Sequence, residues 1–290
     1  MLFGLRDLHQ AGVIHGDINP RNIIIDSEEN VRLIGFGRNI KLEEGETTAN
    51  AEKAGFQEND YTKSSDIKAA GMLVYYILSG GKHLVIEDCD MQNDGLDIVA
   101  QDLIDWMINN DPAIDEVLKH PYFWNKKITE EVLRKVGDRP EVQYYTDISK
   151  ACQIWKAEKG LTGVEAVEKA FIDKKDKNGQ KGAVKTKVLE ILGKTEQVQN
   201  ENFSEKFFKL CKCAKSYSKG KTFSKWKSEL SGKWPKIDKT FPEDLIGLLR
   251  TYRNKLVHVG FNEQMFNRFP DFYISLHRLA IDMGWDCTWS

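Results

Sequence analysis

The C-terminal half of the chain places an arginine, an asparagine and a histidine close together at the end of one helical pattern. Arg253 and Asn254 precede His258 by five and four residues, and Gly260 would terminate the helix. A guanidinium can hold a phosphate through two parallel hydrogen bonds. An imidazole titrates near neutral pH, so it can act as a general acid. This combination is typical of acid–base chemistry at a phosphodiester.

The same string also fits a role without chemistry. A basic helix end can contain it by chance, and a histidine there is favourably placed at the negative end of the helix dipole. An ideal helix sets Arg253 and His258 about 140° apart in azimuth and about 7.5 Å apart in rise. Their side chains converge on one phosphate only if both extend along the helix or the last turn frays. The pattern alone leaves both interpretations open.

A second polar run, near the N-terminus, resembles the catalytic loop of protein kinases. Residues 15–22 read His-Gly-Asp-Ile-Asn-Pro-Arg-Asn, and a strand, a turn and Gly-Phe-Gly at 35–37 follow. Asp66, at the start of the most apolar helix, and the run His-Pro-Tyr-Phe-Trp at 120–124 fit the same resemblance. It covers residues 1 to about 125 and implies a kinase C-lobe, with no glycine-rich loop or strand lysine before it.

Two departures from the kinase pattern remove parts that phosphoryl transfer needs. Asp17 could still act as the base, and Asn22 could still bind a metal. However, Asn19 stands where the pattern has a lysine, and Gly35 stands where it has the metal-binding aspartate. We therefore expect a pseudokinase lobe without kinase activity, and nucleotide binding is doubtful. The rival interpretation is an active kinase fragment, which would transfer phosphate from ATP with magnesium.

The charge of the chain is divided between its two halves. Of the 290 residues, 1–125 carry 10 Lys+Arg and 22 Asp+Glu, a net charge of −12, and 126–290 carry a net charge of +10. The length and this division predict two domains with those bounds. The basic excess concentrates at 201–258, among aromatic residues. That pattern is typical of a nucleic-acid interface. Taken alone, however, it is better explained by aromatic residues in the core and lysines on a solvated helix face.

Apolar periodicity predicts a mostly α-helical chain with a few short strands in its first half. Helices are expected at Leu2–Gln10, Asp66–Leu78, Asp97–Asn109, Ala113–Lys119 and through most of 126–290, and strands at Ile23–Ile25 and Val31–Ile34. Pro112 is expected in the first turn of its helix. Residues 39–64 are predicted to form a surface loop, and 147–200 a helical and charged insertion of unassigned role. The five scattered cysteines form no zinc tetrad, so reduced thiols are expected.

The order of these features resembles the kinase-extension-nuclease family, which includes ribonuclease L and the inositol-requiring stress sensor of the endoplasmic reticulum. The kinase-like lobe runs directly into a helical region that ends in Arg-Asn-x-x-x-His, the active-site signature of HEPN-type ribonucleases. Asp26-Ser27 and Phe269-Pro270-Asp271 look closer to ribonuclease L. The resemblance implies a protein-kinase-like C-lobe followed by an all-helical ribonuclease domain.

That resemblance implies metal-independent cleavage of single-stranded RNA, in which the ribose 2′-OH attacks the adjacent phosphate and leaves a 2′,3′-cyclic end. In that reaction His258 would be the general acid, Arg253 would hold the phosphorane and Asn254 would orient His258 or the phosphate. Lys255 and Arg250 are expected to contact RNA phosphates. The implied partners are single-stranded RNA and a second copy of the chain. No DNA, cofactor, metal or membrane span is expected, and the expected location is cytoplasmic.

Three departures from the family pattern favour another hypothesis, a catalytically silent scaffold that holds RNA or a protein. Gly247 precedes Leu248-Leu249 where the family has an aspartate, so a return to aspartate there is the first change to try in an inactive chain. The family's upstream tyrosine has no clear match near Thr240 and Phe241. The segment between His258 and Phe269 is also short.

Overall fold

The computed structural model describes residues 1–41, 62–84, 95–146, 201–231, 237, 241–262, 264 and 267–285. The chain divides into two compact units, Met1–Phe123 and Trp124–Ser290. Most of the predicted surface loop at 39–64 and all of the predicted insertion at 147–200 lie outside the described residues. Within those ranges, no helix is both long enough and apolar enough to cross a membrane.

The described part of the first unit combines four helices with two short antiparallel strand pairs. In chain order its elements are α1 (Leu2–Gln10), β1 (Val13–Ile14), a 3₁₀ turn (Pro20–Asn22), β2 (Ile23–Ile25), β3 (Val31–Leu33), a 3₁₀ turn (Phe36–Arg38), β4 (Ile40–Lys41), α2 (Lys63–Leu78), α3 (Ile98–Asn109), α4 (Ile114–Val117) and a 3₁₀ turn (Pro121–Phe123). Strand β1 pairs with β4, and β2 pairs with β3. Within the second pair Ile23 lies opposite Leu33 and Ile25 lies opposite Val31.

Two helices of this unit have ends that differ from those predicted by apolar periodicity, because local hydrogen bonds determine where they begin. Helix α2 begins at Lys63, ahead of the predicted start, since Thr62 and Ser65 form a capping box in which each side chain accepts from the other's backbone N–H. Helix α4 has only four residues. The N–H of Ala113 donates to Glu116 (2.9 Å), so Pro112 precedes the cap and does not lie in the first turn.

The core of the first unit joins its four helices. Its buried apolar side chains include Leu5, Ile67, Ala70, Leu103, Met107 and Val117. Helices α2 and α3 approach closely at Gly71, where a Cβ atom would lie 3.0 Å from Cβ of Met107. A larger residue at position 71 would therefore push the two helices apart.

The second unit contains helices and no strand in its described part. Its elements are α5 (Lys126–Gly137), a helical segment at 140–146, α6 (Glu201–Ser218), a 3₁₀ turn (Thr222–Lys225), α7 (Trp226–Leu230), α8 (Leu245–His258) and α9 (Pro270–Asp282). Helix α8 packs against α5, α6 and α9. The core around it includes Leu133, Phe223, Trp226, Tyr252 and Phe272. The expectation of a mostly helical chain is confirmed for the part of the chain that is described.

Candidate active site

Helix α8 carries the candidate catalytic residues, and its first turn is held by side chains from two other segments. Asp244 caps the helix: its Oδ1 accepts from the N–H of Gly247 (2.8 Å), and its Oδ2 accepts from the hydroxyl of Tyr145 (2.5 Å). The N–H of Leu245 donates to Oγ of Ser218 at the end of α6 (2.8 Å). Burial raises the pKa of the Asp244 carboxyl, although these hydrogen bonds oppose that effect.

Gly247 lies where backbone from the preceding turn comes closest to α8. A Cβ atom on Gly247 would lie 1.8 Å from the carbonyl oxygen of Pro242. No side chain fits there, so an aspartate at position 247 cannot be accommodated without moving the backbone. Asp244 does not replace it at the site, because its two oxygens already serve the cap and Tyr145.

The candidate residues share one sector of α8. Helical geometry places four of them within about 140° of azimuth, and these are Arg250, Arg253, Asn254 and His258. Lys255 lies outside that sector, beside the buried face. The opposite side of the helix is apolar and packs into the core through Leu248, Leu249, Tyr252 and Leu256. The burial of that face therefore determines which way the polar sector points.

His258 is the last residue of α8 and is exposed. The helix ends as predicted: the N–H groups of Val259 and Gly260 both donate to the carbonyl of Lys255 (2.8 and 3.2 Å), and Gly260 adopts a φ of +94°. Within the described part of the chain, the imidazole of His258 has no hydrogen-bond partner. Asn254 does not contact it, since the Asn254 amide oxygen instead accepts weakly from Nη1 of Arg253 (3.4 Å).

Both arginines of the sector reach the C-terminal end of α5. Nη1 of Arg250 donates to the carbonyl of Gly137 (2.7 Å) and lies 3.9 Å from Oδ1 of Asp138. Nε of Arg253 lies 2.6 Å from the same oxygen. That Nε has no aligned hydrogen bond, so its contact with Asp138 is an ion pair. The structure thus brings Arg250 and Arg253 together at Asp138, and Asn254 contacts Arg253, whereas His258 lies about one turn farther along the helix.

Sequence reasoning missed Asp138 and Tyr145, because neither belongs to the motif that they support. The one sequence feature that points to Asp138 is its position directly after the apolar pattern of α5. A helix C-terminus attracts cations, so an arginine can be expected near that position. Nothing in the sequence pairs it with Arg253, more than a hundred residues away. The arrangement as a whole offers a guanidinium for a phosphate and an exposed imidazole for proton transfer on one helix face.

The polar side chains of the kinase-like loop in the first unit hydrogen-bond to one another. The amide of Asn19 donates to Oδ1 of Asp17 (2.9 Å), and the amide of Asn22 donates to Oδ2 of Asp17 (2.9 Å) and to its backbone carbonyl (2.6 Å). A Cβ atom on Gly35 would lie 2.3 Å from Oδ1 of Asn22, so Asn22 occupies the space that an aspartate side chain would need. Among the residues described, no group of three His, Cys, Asp or Glu could hold a metal ion.

Asp66 positions this loop from the start of α2. Its carboxylate is buried and accepts from the N–H groups of His15 (2.8 Å) and Gly16 (2.9 Å), and it lies 2.9 Å from Nε2 of His9. His15 accepts from the N–H of Asp17 at Nδ1 (3.2 Å), so its Nε2 carries the proton that is donated to the carbonyl of Ile34 (2.9 Å). These bonds fix the start of the loop against α2 and the residue that precedes Gly35.

The basic, aromatic-rich segment proves to be core on one side and solvated lysine on the other. The aromatic side chains of Phe207, Phe223 and Trp226 are buried, so they are not available to stack on bases. The lysines of α6 and its C-terminal end are exposed, and these include Lys206, Lys209, Lys212 and Lys219. Trp234 lies outside the described residues. A surface of exposed lysines can contact a nucleic-acid backbone through its charge.

Comparison with known proteins supports a kinase-like first unit. Residues 1–123 match the protein kinase domain. The chain is 30% identical over 149 residues to the probable serine/threonine-protein kinase irlC of Dictyostelium discoideum, covering 43% of this chain and 10% of the relative. It is 28% identical over 178 residues to the serine/threonine-protein kinase/endoribonuclease IRE1 of Oryza sativa subsp. japonica, covering 52% and 20%. The corresponding IRE1a of Arabidopsis thaliana is 26% identical over 168 residues, covering 48% and 20%.

Residues 1–123 therefore form a kinase-like domain with IRE1-related homologues. The chain spans between a tenth and a fifth of the length of these curated relatives. Two of the three are named as kinase/endoribonucleases. Phosphoryl transfer needs a metal-binding carboxylate and a lysine near the phosphate, and this chain has Gly35 and Asn19 at those positions.

Proposed function

We propose that this chain is a metal-independent endoribonuclease of the kinase-extension-nuclease type, similar to ribonuclease L, that cleaves single-stranded RNA. The observation that carries the proposal is the polar sector of α8, in which Arg253, Asn254 and an exposed His258 lie opposite a mainly apolar face. The IRE1 relatives named as kinase/endoribonucleases support it. Single-stranded RNA is the substrate class because its bases can be splayed and its 2′-OH is free to attack.

The proposed reaction assigns one step to each side chain. The 2′-oxygen forms a bond to the adjacent phosphorus while its proton passes to solvent water, and the bond from phosphorus to the 5′-oxygen breaks. His258 donates its proton to that leaving oxygen as general acid. Arg253 stabilises the charge that develops on the phosphorane through its remaining N–H donors. Nη1 of Arg250 already donates to the carbonyl of Gly137, so Arg250 acts mainly through its charge. Lys255, which lies outside the sector, contacts another phosphate of the RNA backbone.

The first unit serves this function as a scaffold and not as a kinase. The network of Asp17, Asn19 and Asn22 leaves no carboxylate oxygen of Asp17 without an amide donor. Nucleotide binding is therefore not part of the proposed activity. A second copy of the chain is the proposed partner, since the family resemblance implies a dimer. Cleavage should then rise more steeply than linearly with protein concentration.

The decisive experiment incubates the chain with a fluorescent single-stranded RNA in EDTA over a range of protein concentrations. We expect cleavage to survive EDTA, to rise steeply with concentration and to leave 2′,3′-cyclic ends. His258→Ala should abolish it with the fold intact, because the imidazole is exposed. His83→Ala, which also removes an exposed histidine, is the matched control and should cleave normally. Asp17→Ala should likewise leave cleavage unchanged, whereas retained cleavage by a folded His258→Ala protein contradicts the proposal.

A second candidate function is an RNA- or protein-binding scaffold without catalysis. It is favoured by Gly247, where no side chain fits, and by the ion pair that engages Arg253. RNA binding without cleavage at any protein concentration, with the exposed lysines of α6 required for binding, would establish this alternative. The cleavage assay above and a binding assay with the same RNA separate the two functions.

A further inference from the structure

Asp138 lies where two arginines of α8 meet the C-terminal end of α5. Its Oδ1 is 2.6 Å from Nε of Arg253 and 3.9 Å from Nη1 of Arg250. The contact is close because Gly137 has no side chain: a Cβ atom there would lie 2.8 Å from Cγ of Arg253. The backbone of α5 therefore supports the alkyl chain of Arg253 while the next residue holds its guanidinium.

The contact of Asp138 with Nε determines which N–H donors of the Arg253 guanidinium remain available. Asp138 engages Nε, on the side of the guanidinium, and Asn254 engages Nη1 at a long 3.4 Å. No residue in the described ranges accepts from Nη2. A guanidinium holds a phosphate through two neighbouring N–H donors. The edge formed by Nη1 and Nη2 is therefore the one that can bind a phosphate while Asp138 holds Nε. A carboxylate on the terminal edge would instead have blocked it.

The local charge also fits a bound phosphate. Two guanidiniums face one carboxylate, so the group of Arg250, Arg253 and Asp138 carries a net charge of +1. Nη1 of Arg250 already donates to the carbonyl of Gly137, and the side chain of Arg250 is less exposed than that of Arg253 (16% against 24%), so Arg253 is the group that a phosphate would meet first. The side chain of Arg253 is 24% exposed and that of Asp138 is 43% exposed, so an RNA strand can reach both.

We propose that Asp138 is a positioning residue that sets the orientation of Arg253 toward the scissile phosphate, an inference that rests on the proposed ribonuclease function. In this role Asp138 acts through Arg253 and needs no contact with RNA. It fixes the Nε side of the guanidinium, so that the Nη edge is presented in one orientation when the phosphorane forms. Preorganisation of this kind acts mainly on the transition state.

The opposite interpretation makes a different prediction for one variant. If Asp138 merely competes with RNA for Arg253, or repels it as a like charge, Asp138→Asn should tighten binding and speed cleavage, because it removes a negative charge. If Asp138 positions Arg253, the same change should slow cleavage in spite of the added net positive charge. The sign of the effect therefore separates positioning from simple electrostatics.

The test measures kcat and KM for single-stranded RNA with four proteins: wild type, Asp138→Asn, Arg253→Ala and the double variant. Glu131→Gln is the matched control, because it makes the same acid-to-amide change on α5, and its ion-pair partner is Lys135 on that same helix. We expect Asp138→Asn to lower kcat by about 10- to 100-fold with a smaller change in KM. The double variant should cleave no more slowly than Arg253→Ala, and Glu131→Gln should match the wild type.

Binding of a non-cleavable 2′-O-methyl RNA of the same sequence provides a second, independent measurement. Asp138→Asn should weaken that binding a few-fold, and the change should vanish in the Arg253→Ala background. If the wild type does not cleave RNA, the proposed function fails, but this binding measurement still decides the role of Asp138. Faster cleavage or tighter binding by Asp138→Asn, or additive effects of the two substitutions, would overturn the inference. Thermal melting of each variant confirms that it is folded.

Discussion

The side chain of Asn22 occupies the space in which Gly35 would carry a side chain. A Cβ atom on Gly35 would lie 2.3 Å from Oδ1 of Asn22, whose amide is bound to Asp17. The loss of the kinase aspartate is thus accompanied by a hydrogen-bonded network that fills its place. An aspartate at position 35 would therefore require the Asn22 side chain to move as well.

Restoring the aspartate is expected to damage the fold without creating a kinase. Gly35 has a φ of +86°, where a residue with a Cβ costs about 1 to 2 kcal/mol, and Asn22 must also move. Gly35→Asp and Gly35→Ala should both lower the melting temperature, and neither should transfer phosphate from magnesium and ATP. Gly37→Ala is the control, because nothing lies within 4 Å of its Cβ position. Phosphotransfer by Gly35→Asp would contradict this account.

Gly247 is expected to be intolerant of any side chain for a steric reason. The carbonyl oxygen of Pro242 lies 1.8 Å from the position of its Cβ, and main-chain atoms cannot turn aside as a side chain can. Gly247→Ala should therefore destabilise the chain by about 2 kcal/mol or more, and Gly247→Asp by at least as much. Chemical denaturation provides the measurement. The aspartate variant is thus not expected to restore or enhance cleavage.

Gly4→Ala serves as the comparison for Gly247. Gly4 is exposed, lies in α1 and has open space around its Cβ position, so alanine there should stabilise the chain by up to about 1 kcal/mol. The two substitutions add the same methyl group to a helix. Equal effects at both positions would show that the contact with Pro242 does not control stability.

Much of the fold follows from local patterns in the sequence. Apolar spacing predicts α1 with the bounds that the structure has, and Gly260 marks the end of α8 because a positive φ is needed there. Helix starts are harder to predict: α2 begins early because Thr62 and Ser65 cap each other, an effect of side-chain hydrogen bonds that periodicity does not register.

The surroundings of the candidate site were not predictable in the same way. The motif residues Arg253 and His258 are visible in the sequence, but the partner of Arg253 is Asp138, which only the packing of α5 against α8 brings near. The same holds for Asp244 and Tyr145, which are 99 residues apart. Contacts of this range depend on how helices pack, and no pattern along a single helix records them.

The exposed lysines of α6 lead to a prediction about RNA binding. Lys209, Lys212 and Lys219 form no salt bridge with any carboxylate in the described parts of the chain, and the rings of Phe207, Phe223 and Trp226 are buried. Under the proposed function this surface would contact the RNA backbone, so oligo-uridine and oligo-adenosine of equal length should bind with similar affinity. Changing the three lysines to glutamine should reduce the slope of log K against log salt by about 0.7 for each phosphate that the protein no longer neutralises.

Fluorescence anisotropy across a salt series measures this slope. The control changes Lys41, Lys63 and Lys68 of the first unit to glutamine, which alters the net charge by the same amount. That control should leave the slope unchanged if the lysines of α6 bind the phosphates. An equal reduction in both triple variants would indicate attraction by overall charge and would contradict a localised binding surface.

Asp244 is expected to make the stability of the chain depend on pH. Burial raises the pKa of its carboxyl, outweighing the hydrogen bonds from Tyr145 and from the backbone of Gly247 and Ile246. An acid whose pKa is higher in the folded than in the unfolded state binds its proton more tightly when folded. The free energy of unfolding should therefore fall as pH rises from the ordinary carboxyl pKa through the folded value, and stay lower above it.

Asp244→Asn isolates this contribution, because asparagine does not titrate and is an equally good N-cap for the N–H of Gly247. Denaturation at a series of pH values should show the wild type losing stability relative to Asp244→Asn as pH rises through that window. Tyr145→Phe removes a donor that lowers the pKa of Asp244, so it should extend the loss to higher pH. Parallel pH profiles for wild type and Asp244→Asn would mean that the carboxyl at the start of α8 keeps its ordinary affinity for protons.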